Sequence, residues 1–391
     1  MSFVDIRDLT ADDLDAVLDN RKRAFGPLSP GDVETWRKRF EILPEGSYLG
    51  SFEGSRLTGT ARINRFTQWW HGRALSMGGI AGVTVAPEDR GRGVGHMLMS
   101  AVIDRCGELG HVTSALYPAT TPLYRSLGWE HAGAQLTAVL PTEALRGMGD
   151  GASRAVKLRR MGPDDAPELM AVLERVYAST RASGPLGWDE PTWRLWLDDD
   201  DDFCYLADDG YVIYRWDSGD IEVDNLVAGS EATARALWSL VGTASSIATS
   251  VKASVEPHDP VLWMLRERQS DEVRQTRWMY RLIDLPAAVG QRGFPAGVSL
   301  DMVIEVDDPQ RAANSGTWRL EVASGSGTAS AGAATEPGRS PRFAIGGLSA
   351  LFAGVPTSTL RRTGRLAGGS PEADDLLDAA FNCAAYMIDY F

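Results

Sequence analysis

Apolar positions change period several times along the chain, and each change marks an element. Residues 4–13 (VDIRDLTADD) alternate as a short strand and lead into Leu14, Val17 and Leu18, the spacing of one helix face. Residues 156–165 (VKLRRMGPDD) repeat this in register: Val, an aliphatic residue, Arg, another aliphatic residue, then two aspartates. Leu169, Val172 and Leu173 follow with the same helical spacing. An aspartate is expected as N-cap in each copy. Such self-similarity reads as a duplication, two copies of one α/β unit meeting near Gly147–Gly151. After Leu285 and Pro286 the composition shifts towards Gly, Ala, Ser and Pro. Residues 298–306 (VSLDMVIEV) and 318–322 (WRLEV) alternate as strands, whereas 324–341, almost without large apolar side chains, reads as a long loop or locally disordered segment. From Glu372 onward Leu376, Leu377, Ala380, Phe381 and Ala384 form a helical stripe. The pattern predicts three units, 1–150, 151–286 and 287–391, the first two α/β and the last α+β.

One local pattern carries chemistry. Residues 80–85 (IAGVTV) end as a strand before Pro87, and residues 90–95 (RGRGVG) make a glycine-rich turn. The helix it opens has Val94, Met97, Leu98, Ala101 and Val102 on one face. Glycines let the backbone approach a ligand, and the unpaired N–H groups of a helix start attract an anion, so the turn suits a pyrophosphate. Its glycines are too closely spaced for a dinucleotide fingerprint, and no Lys-Ser/Thr pair follows as in a P-loop.

Composition narrows the partners. The chain has 391 residues, with 39 basic and 53 acidic side chains and a net charge of −14. That balance argues against a nucleic-acid binder and favours cationic small molecules. Hydrophobic residues at 43% and charged ones at 24% are ordinary for a globular chain. There is no apolar run of ~20 residues and no basic-then-apolar leader, so a cytoplasmic protein without a membrane span is expected. Cys106, Cys204 and Cys383 are too far apart for a disulfide framework or a metal knuckle, and the five histidines form no ligand pair. No metal is expected.

The order R-x-x-G-x-G behind V-x-V-A-P-E-x-R resembles the acyl-CoA loop of the GNAT acetyltransferase superfamily. Residues 116–129 (LYPATTPLYRSLGW) resemble the Y-x-x-x-G-F element that closes the cofactor site in those enzymes. The resemblance implies acetyl-CoA as donor, its pyrophosphate on the backbone of Gly91, Arg92, Gly93, Val94, Gly95 and His96. Its pantetheine arm would pair with Val83, Thr84 and Val85, with Ala119 and Thr120 as further contacts. Acetyl transfer expels a thiolate that a positioned phenol can protonate, and Tyr124 is the candidate general acid. Its other reading is a core tyrosine; Tyr117, at a strand end, fits packing better. The equivalent stretch of the second copy, 222–233 (EVDNLVAGSEAT), has one glycine and no basic residue at the turn, and reads as a noncatalytic duplicate.

Two tandem GNAT-like domains followed by an α+β domain resemble the Eis (enhanced intracellular survival) family of acetyltransferases over essentially the whole chain. The resemblance implies a sterol-carrier-like last domain, a homohexamer, acetylation of aminoglycosides at several amines, and the terminal α-carboxylate as catalytic base. Here that group belongs to Phe391. The ending 385–391 (AYMIDYF) is apolar and aromatic, as a buried end would be, whereas disordered tails are usually polar. Smaller candidates keep two readings each. Trp36 and Phe25 either line a substrate pocket or pack. The run Asp198–Asp202 either draws cationic amines or is a solvated loop. Cys106 reads as a small core residue. The expected protein is an acetyl-CoA-dependent N-acetyltransferase acting on a cationic, multi-amine substrate. Competing readings are a protein-lysine or polyamine acetyltransferase and a noncatalytic CoA- or lipid-binding regulatory protein.

Overall fold

The computed structural model describes residues 4–267, 273–334, 336 and 338–391. Its two repeats fold alike. Strand β1 (Asp5–Asp8) passes through a 3-10 turn into α1 (Leu14–Phe25), and strand Arg159–Arg160 passes through the same kind of turn into a helix, Ala166–Thr180. Asp13 and Asp165 stand at the N-caps as expected, but neither side chain bonds into its helix. Asp13 reaches back to accept from the Thr10 N–H (2.9 Å) and from Arg7 (2.8 Å). Asp165 accepts from the Gly162 N–H (2.8 Å) and from Arg159 (2.8 Å). Each closes the turn before its helix, as the acidic partner of a capping box does.

The remaining strands are β2 (Tyr48–Glu53), β3 (Arg56–Trp70), β4 (Arg73–Val85), β5 (Thr113–Leu116) and β6 (Glu130–Pro141), then β7 (Arg159–Arg160), β8 (Leu186–Gly187), β9 (Phe203–Ala207), β10 (Gly210–Asp217), β11 (Asp220–Ala228), β12 (Ser250–Val255) and β13 (Val273–Leu282). Among the described residues they form one 13-stranded sheet in the order β1-β2-β3-β4-β5-β13-β6-β12-β11-β10-β9-β7, with β8 paired to β3. The two units therefore exchange their last strands: β13 inserts between β5 and β6, and β6 reaches across to β12. Neither repeat completes its sheet alone.

Helices cover both faces of the first repeat. Adjacent strand residues point to opposite faces. Ile63 and Ile80 pack under α3 (Val94–Glu108), against Leu98, Met99 and Val102. On the other face Tyr48 packs with Val17 of α1 and Trp36 of α2 (Pro30–Glu41). Cys106 is fully buried on α3.

The last region adds a second sheet, β14 (Leu300–Asp307), β15 (Gly316–Ala323), β16 (Ser326–Ala331), β17 (Arg342–Ala344) and β18 (Leu366–Ala367), in the order β16-β15-β14-β17-β18. Here the structure corrects the loop expected over 324–341: residues 326–331 form a strand antiparallel to β15. Two residues of positive φ, Ser324 (51°) and Gly325 (81°), make the tight hairpin turn that joins them. Small residues suit this edge because the Phe294 ring lies flush on it; a Cβ at Gly327 would come within 2.5 Å of that ring. Thr335 and Pro337, within the same expected loop, lie outside the described residues. The last helix also differs, spanning Pro371–Phe381 with Ser370 as N-cap, so Ala384 falls beyond it. The chain leaves the helix because the tail is drawn to the large sheet, where Tyr386 bridges to Ala134. Fully buried Arg281 of β13 ties the layers, pairing with Asp308 (2.8 Å) while its Nε donates to the Leu127 carbonyl (2.8 Å). No helix among the described residues is long and apolar enough to cross a membrane.

Candidate active site

Strands β4 and β5 run parallel from Met77–Thr113 to Ile80–Leu116 and then part. Beyond Ile80, β4 continues to Val85, paired on one edge with β3 and on the other with no strand of the described residues. The parting has a local cause. A bulge against β3 falls between Thr60 and Arg62, and Gly82 takes φ +58°, so β4 swings away from β5. Val83, Thr84 and Val85 lie on this free edge, with the Thr84 hydroxyl fixed to that of Thr60 (2.8 Å).

The edge runs into the glycine turn. Gly91 (φ +77°) and Gly93 (φ +83°) are left-handed, and a Cβ on either would meet nothing within 4 Å. Backbone conformation demands glycine there, and the space above the turn stays open. Gly93 is the N-cap of α3 without a side-chain cap, and the N–H groups of Gly91, Gly93, Val94 and Gly95 have no backbone acceptor among the described residues. The His96 N–H instead returns to the Gly93 carbonyl (3.1 Å). The Arg92 side chain is turned to Glu53 (2.9 Å) and to buried Asp89, which also accepts from Arg56 (2.6 Å). Those pairs hold Asp89 below the usual carboxylate range, chiefly through Arg56, and brace the loop. An oxyanion seated on this turn would meet backbone donors and the positive end of α3. Gly93→Asp forces a side chain into a left-handed position and sets a negative charge at that seat. Acetyl-CoA affinity is expected to fall well over tenfold, about 1.4 kcal/mol or more. Calorimetry beside a Gly93→Ala control, which carries the backbone strain alone, checks it; unchanged affinity in the folded Asp variant removes the loop from the cofactor site.

Tyr124 lies on α4 (Thr121–Ser126), buried and edge-on to Trp129 (centroids 6.3 Å) in the cluster under α3. Its neighbour Leu123 is 3.6 Å from where a Cβ on Gly95 would sit, so α4 borders the first turn of α3. Burial pushes the phenol up to about 12. Ala119 and Thr120 are exposed in the loop before α4.

The chain end arrives on the opposite face. The Tyr386 N–H donates to the Ser183 carbonyl (3.1 Å), and Gln135 Nε2 donates to the Ile388 carbonyl (2.8 Å). Tyr117 Oη donates to the Asp389 carbonyl (2.8 Å), and the Asp389 carboxylate accepts from Trp188 Nε1 (3.0 Å) and Asn225 Nδ2 (3.2 Å). Burial pushes Asp389 up to about 6 despite those donors. The Phe391 ring packs on Phe66 (4.8 Å) and Tyr117 (5.5 Å), over Gly79. Gly78 and Gly79 show the two sides: a Cβ on the first would meet Cys106 of α3, on the second Phe66 and Phe391. Tyr124 and Phe391 thus approach the β4–β5 parting from opposite faces. Tyr117 packs as expected and also holds the tail. Sequence reading missed Gln135, Trp188, Asn225 and Asp389; only the polar Asp389 inside an apolar ending offered a signal.

Among the smaller candidates, Trp36 of α2 is buried in the cluster with Val17 and Tyr48, whereas Phe25 is exposed. Asp198–Asp201 are exposed, and Asp202 pairs with Arg215 (3.0 Å). The run faces Thr35, Lys38 and Arg39 across a groove of about 520 Å³. In the second repeat β11 and β12 part after Val223 and Ala253, as β4 and β5 do. There, however, Ser230 caps the helix start by accepting from the Thr233 N–H (3.3 Å), and Tyr386 and Ile388 of the tail line a cavity together with Leu226 and Ala228.

The acetyltransferase (GNAT) domain family matches residues 5–132, a second acetyltransferase (GNAT) family matches 184–282, and the sterol carrier protein domain family matches 285–388. The crystal structure of a GCN5-related N-acetyltransferase from Kribbella flavida is 43% identical, superposes with a TM-score of 0.95, and covers 100% of this chain and 98% of its own. The N-acetyltransferase Eis of Mycobacterium tuberculosis is 26% identical over 380 residues, 90% of each chain. Eis1 from Mycobacterium abscessus, 22% identical, has the same fold over 100% of both chains with a TM-score of 0.79. Fold and cleft define an N-acetyltransferase of the GCN5-related (GNAT) class, a class whose donor is acetyl-CoA. With two such domains and a sterol-carrier-like third, the chain belongs to the Eis family. Among the described residues no group of His, Cys, Asp or Glu is arranged to hold a metal ion.

Proposed function

We propose that the protein transfers acetyl from acetyl-CoA to a primary amine in the β4–β5 parting, by direct attack. The observation that carries this reading is the free edge of residues 81–85 running into the uncapped start of α3 at Gly93. A pantetheine amide can add to that edge as a further strand would, and a pyrophosphate fits the turn. Backbone N–H groups along the edge would polarise the thioester carbonyl as charge develops on its oxygen. The Phe391 carboxylate takes a proton from the substrate ammonium, the freed amine attacks the thioester carbonyl, and Tyr124 gives its proton to the leaving thiolate. The catalytic unit is residues 1–150; units 151–286 and 287–391 wall the cleft and carry the tail to it. Acceptors of the aminoglycoside type, a homohexamer and a cytoplasmic location belong to the same reading and are supported by family resemblance and net charge. The deciding measurement is acetyl-CoA-dependent thiol release across a panel of amines. Release with amines and none without them is expected; none with any amine leaves a CoA-binding protein rather than an enzyme.

A further inference from the structure

The second repeat parts its sheet as the first does, and the opening there forms a small cavity. Beyond Val223 and Ala253 strands β11 and β12 diverge, leaving Leu226 and Val227 on one side and Glu256 and Asp259, just past β12, on the other. Tyr386 and Ile388 of the tail complete the wall. The cavity measures about 50 Å³, and since one water needs ~10–15 Å³ it has room for a few heavy atoms. Its chemistry is the reverse of the first cleft's. In the first repeat a glycine turn offers N–H groups to an anion; here Ser230 caps the helix start and two carboxylates face the opening.

Asp259 is 8% exposed and caps the short helix Pro260–Met264, accepting from the backbone N–H groups of Val261 (2.9 Å) and Glu256 (3.3 Å). Glu256 accepts from the Tyr386 hydroxyl. A carboxylate offers about four acceptor positions, so both groups keep capacity for a further donor. Among the described residues no Lys, Arg or His lines the cavity. Burial accordingly raises Glu256, with Tyr386 and His258 opposing, and pushes Asp259 up to about 7. An independent sign comes from the helix Ala166–Thr180. Its Tyr177 lines the same cavity and is 2% exposed, and the Tyr177 hydroxyl has no hydrogen-bond partner. That hydroxyl lies near enough to Glu256 for the carboxylate charge to raise it beyond the effect of burial. A hydroxyl left unpaired in the interior is costly, and a bound donor would remove the cost. Val227 and the Trp238 ring make the remaining lining apolar.

We propose that this cavity binds a small primary alkylammonium, whose N–H groups donate to Glu256, Asp259 and the Tyr177 hydroxyl while its carbon chain lies against Val227 and Trp238. An ammonium carries three donors, which matches the three oxygen-bearing side chains, and the short apolar body matches the rest of the lining. The site lies in the second repeat, apart from the β4–β5 parting, and does not depend on acetyl transfer taking place there. A bound amine braces Tyr386, whose N–H already donates to the Ser183 carbonyl (3.1 Å), and so steadies the tail ahead of Asp389 and Phe391.

The test uses the full-length protein without acetyl-CoA, with propylammonium as the probe. Tetramethylammonium, which has the charge but no N–H donor, and propanol, which has the chain but no charge, are the controls at constant ionic strength. Propylammonium is expected to bind by calorimetry and to raise Tm, and the controls to do neither. Glu256→Gln keeps an acceptor for the Tyr386 hydroxyl and removes the charge; Tyr177→Phe removes only the unpaired hydroxyl. Each should weaken propylammonium binding by about tenfold or more, the size of a charge-assisted hydrogen bond. Tm of the unliganded Tyr177→Phe protein should hold or rise, so this variant decides the matter if Glu256→Gln does not fold. Binding that survives unchanged in Tyr177→Phe and in folded Glu256→Gln lies elsewhere, at the transfer cleft or on the surface, and overturns the proposal. An equal Tm rise with tetramethylammonium assigns the effect to charge alone and overturns it too. No binding of propylammonium leaves the cavity to water and overturns it outright. Because no acetyl-CoA is present, each of these results is independent of whether the protein releases thiol with any amine.

Discussion

Extending the chain by a single glycine beyond Phe391 is expected to lower kcat by about 10²- to 10⁴-fold, the range of general acid–base assistance. The extension keeps every side chain of the tail, turns the Phe391 carboxylate into an amide, which accepts no proton at neutral pH, and shifts the free carboxylate one residue outward. The Phe391 ring can remain on Phe66 and Tyr117, and the grip of Tyr117, Trp188 and Asn225 on Asp389 is untouched. Tm should therefore change little. Deleting Phe391 is the contrasting variant: it moves the carboxylate by one residue and also removes a ring from a packed cluster, so turnover and Tm should both fall. An extension at the N-terminus should leave turnover intact. Melting temperature beside kcat separates loss of a base from loss of a core contact. A folded, C-terminally extended enzyme that turns over normally rules the carboxylate out as base.

The second large effect is expected at Tyr124. Phenylalanine keeps the ring that packs against Trp129 under α3 and removes only the hydroxyl. Because burial pushes the phenol up to about 12, the group is protonated throughout the neutral range and its proton is available to the departing thiolate. The variant should lose about 10²- to 10⁴-fold in kcat with acetyl-CoA affinity nearly constant. The loss should be equal across neutral pH, since the raised value puts no titration of this group there. Single-turnover rates with calorimetric affinities provide the check. Unchanged kcat would leave Tyr124 as a packing residue bordering the cleft.

The glycine turn was legible because its requirements are local: left-handed backbone at Gly91 and Gly93, a strand before and a helix after all fall within about twenty consecutive residues. The repeat was legible for the same reason, since Arg7–Asp13 and Arg159–Asp165 are short-range pairs. The loop expected over 324–341 went astray because small residues lack an alternation signal, and what makes 326–331 a strand is an edge of β15 and the ring of Phe294.

The sequence alone determined the order of the three units, the glycine turn between strand and helix with its two left-handed residues, the lack of such a turn in the second unit and the apolar character of the tail. Each is written in the spacing of neighbouring residues, where dihedral preference and periodicity act directly. Tertiary structure decided the exchange of β6 and β13, the clamp of Trp188 and Asn225 on Asp389, and the gathering of Arg62, Arg39 and Arg21 around Trp36. These join residues tens to hundreds of positions apart. Burial and mutual repulsion, which give such groups their chemistry, arise only when folding brings them together and excludes water.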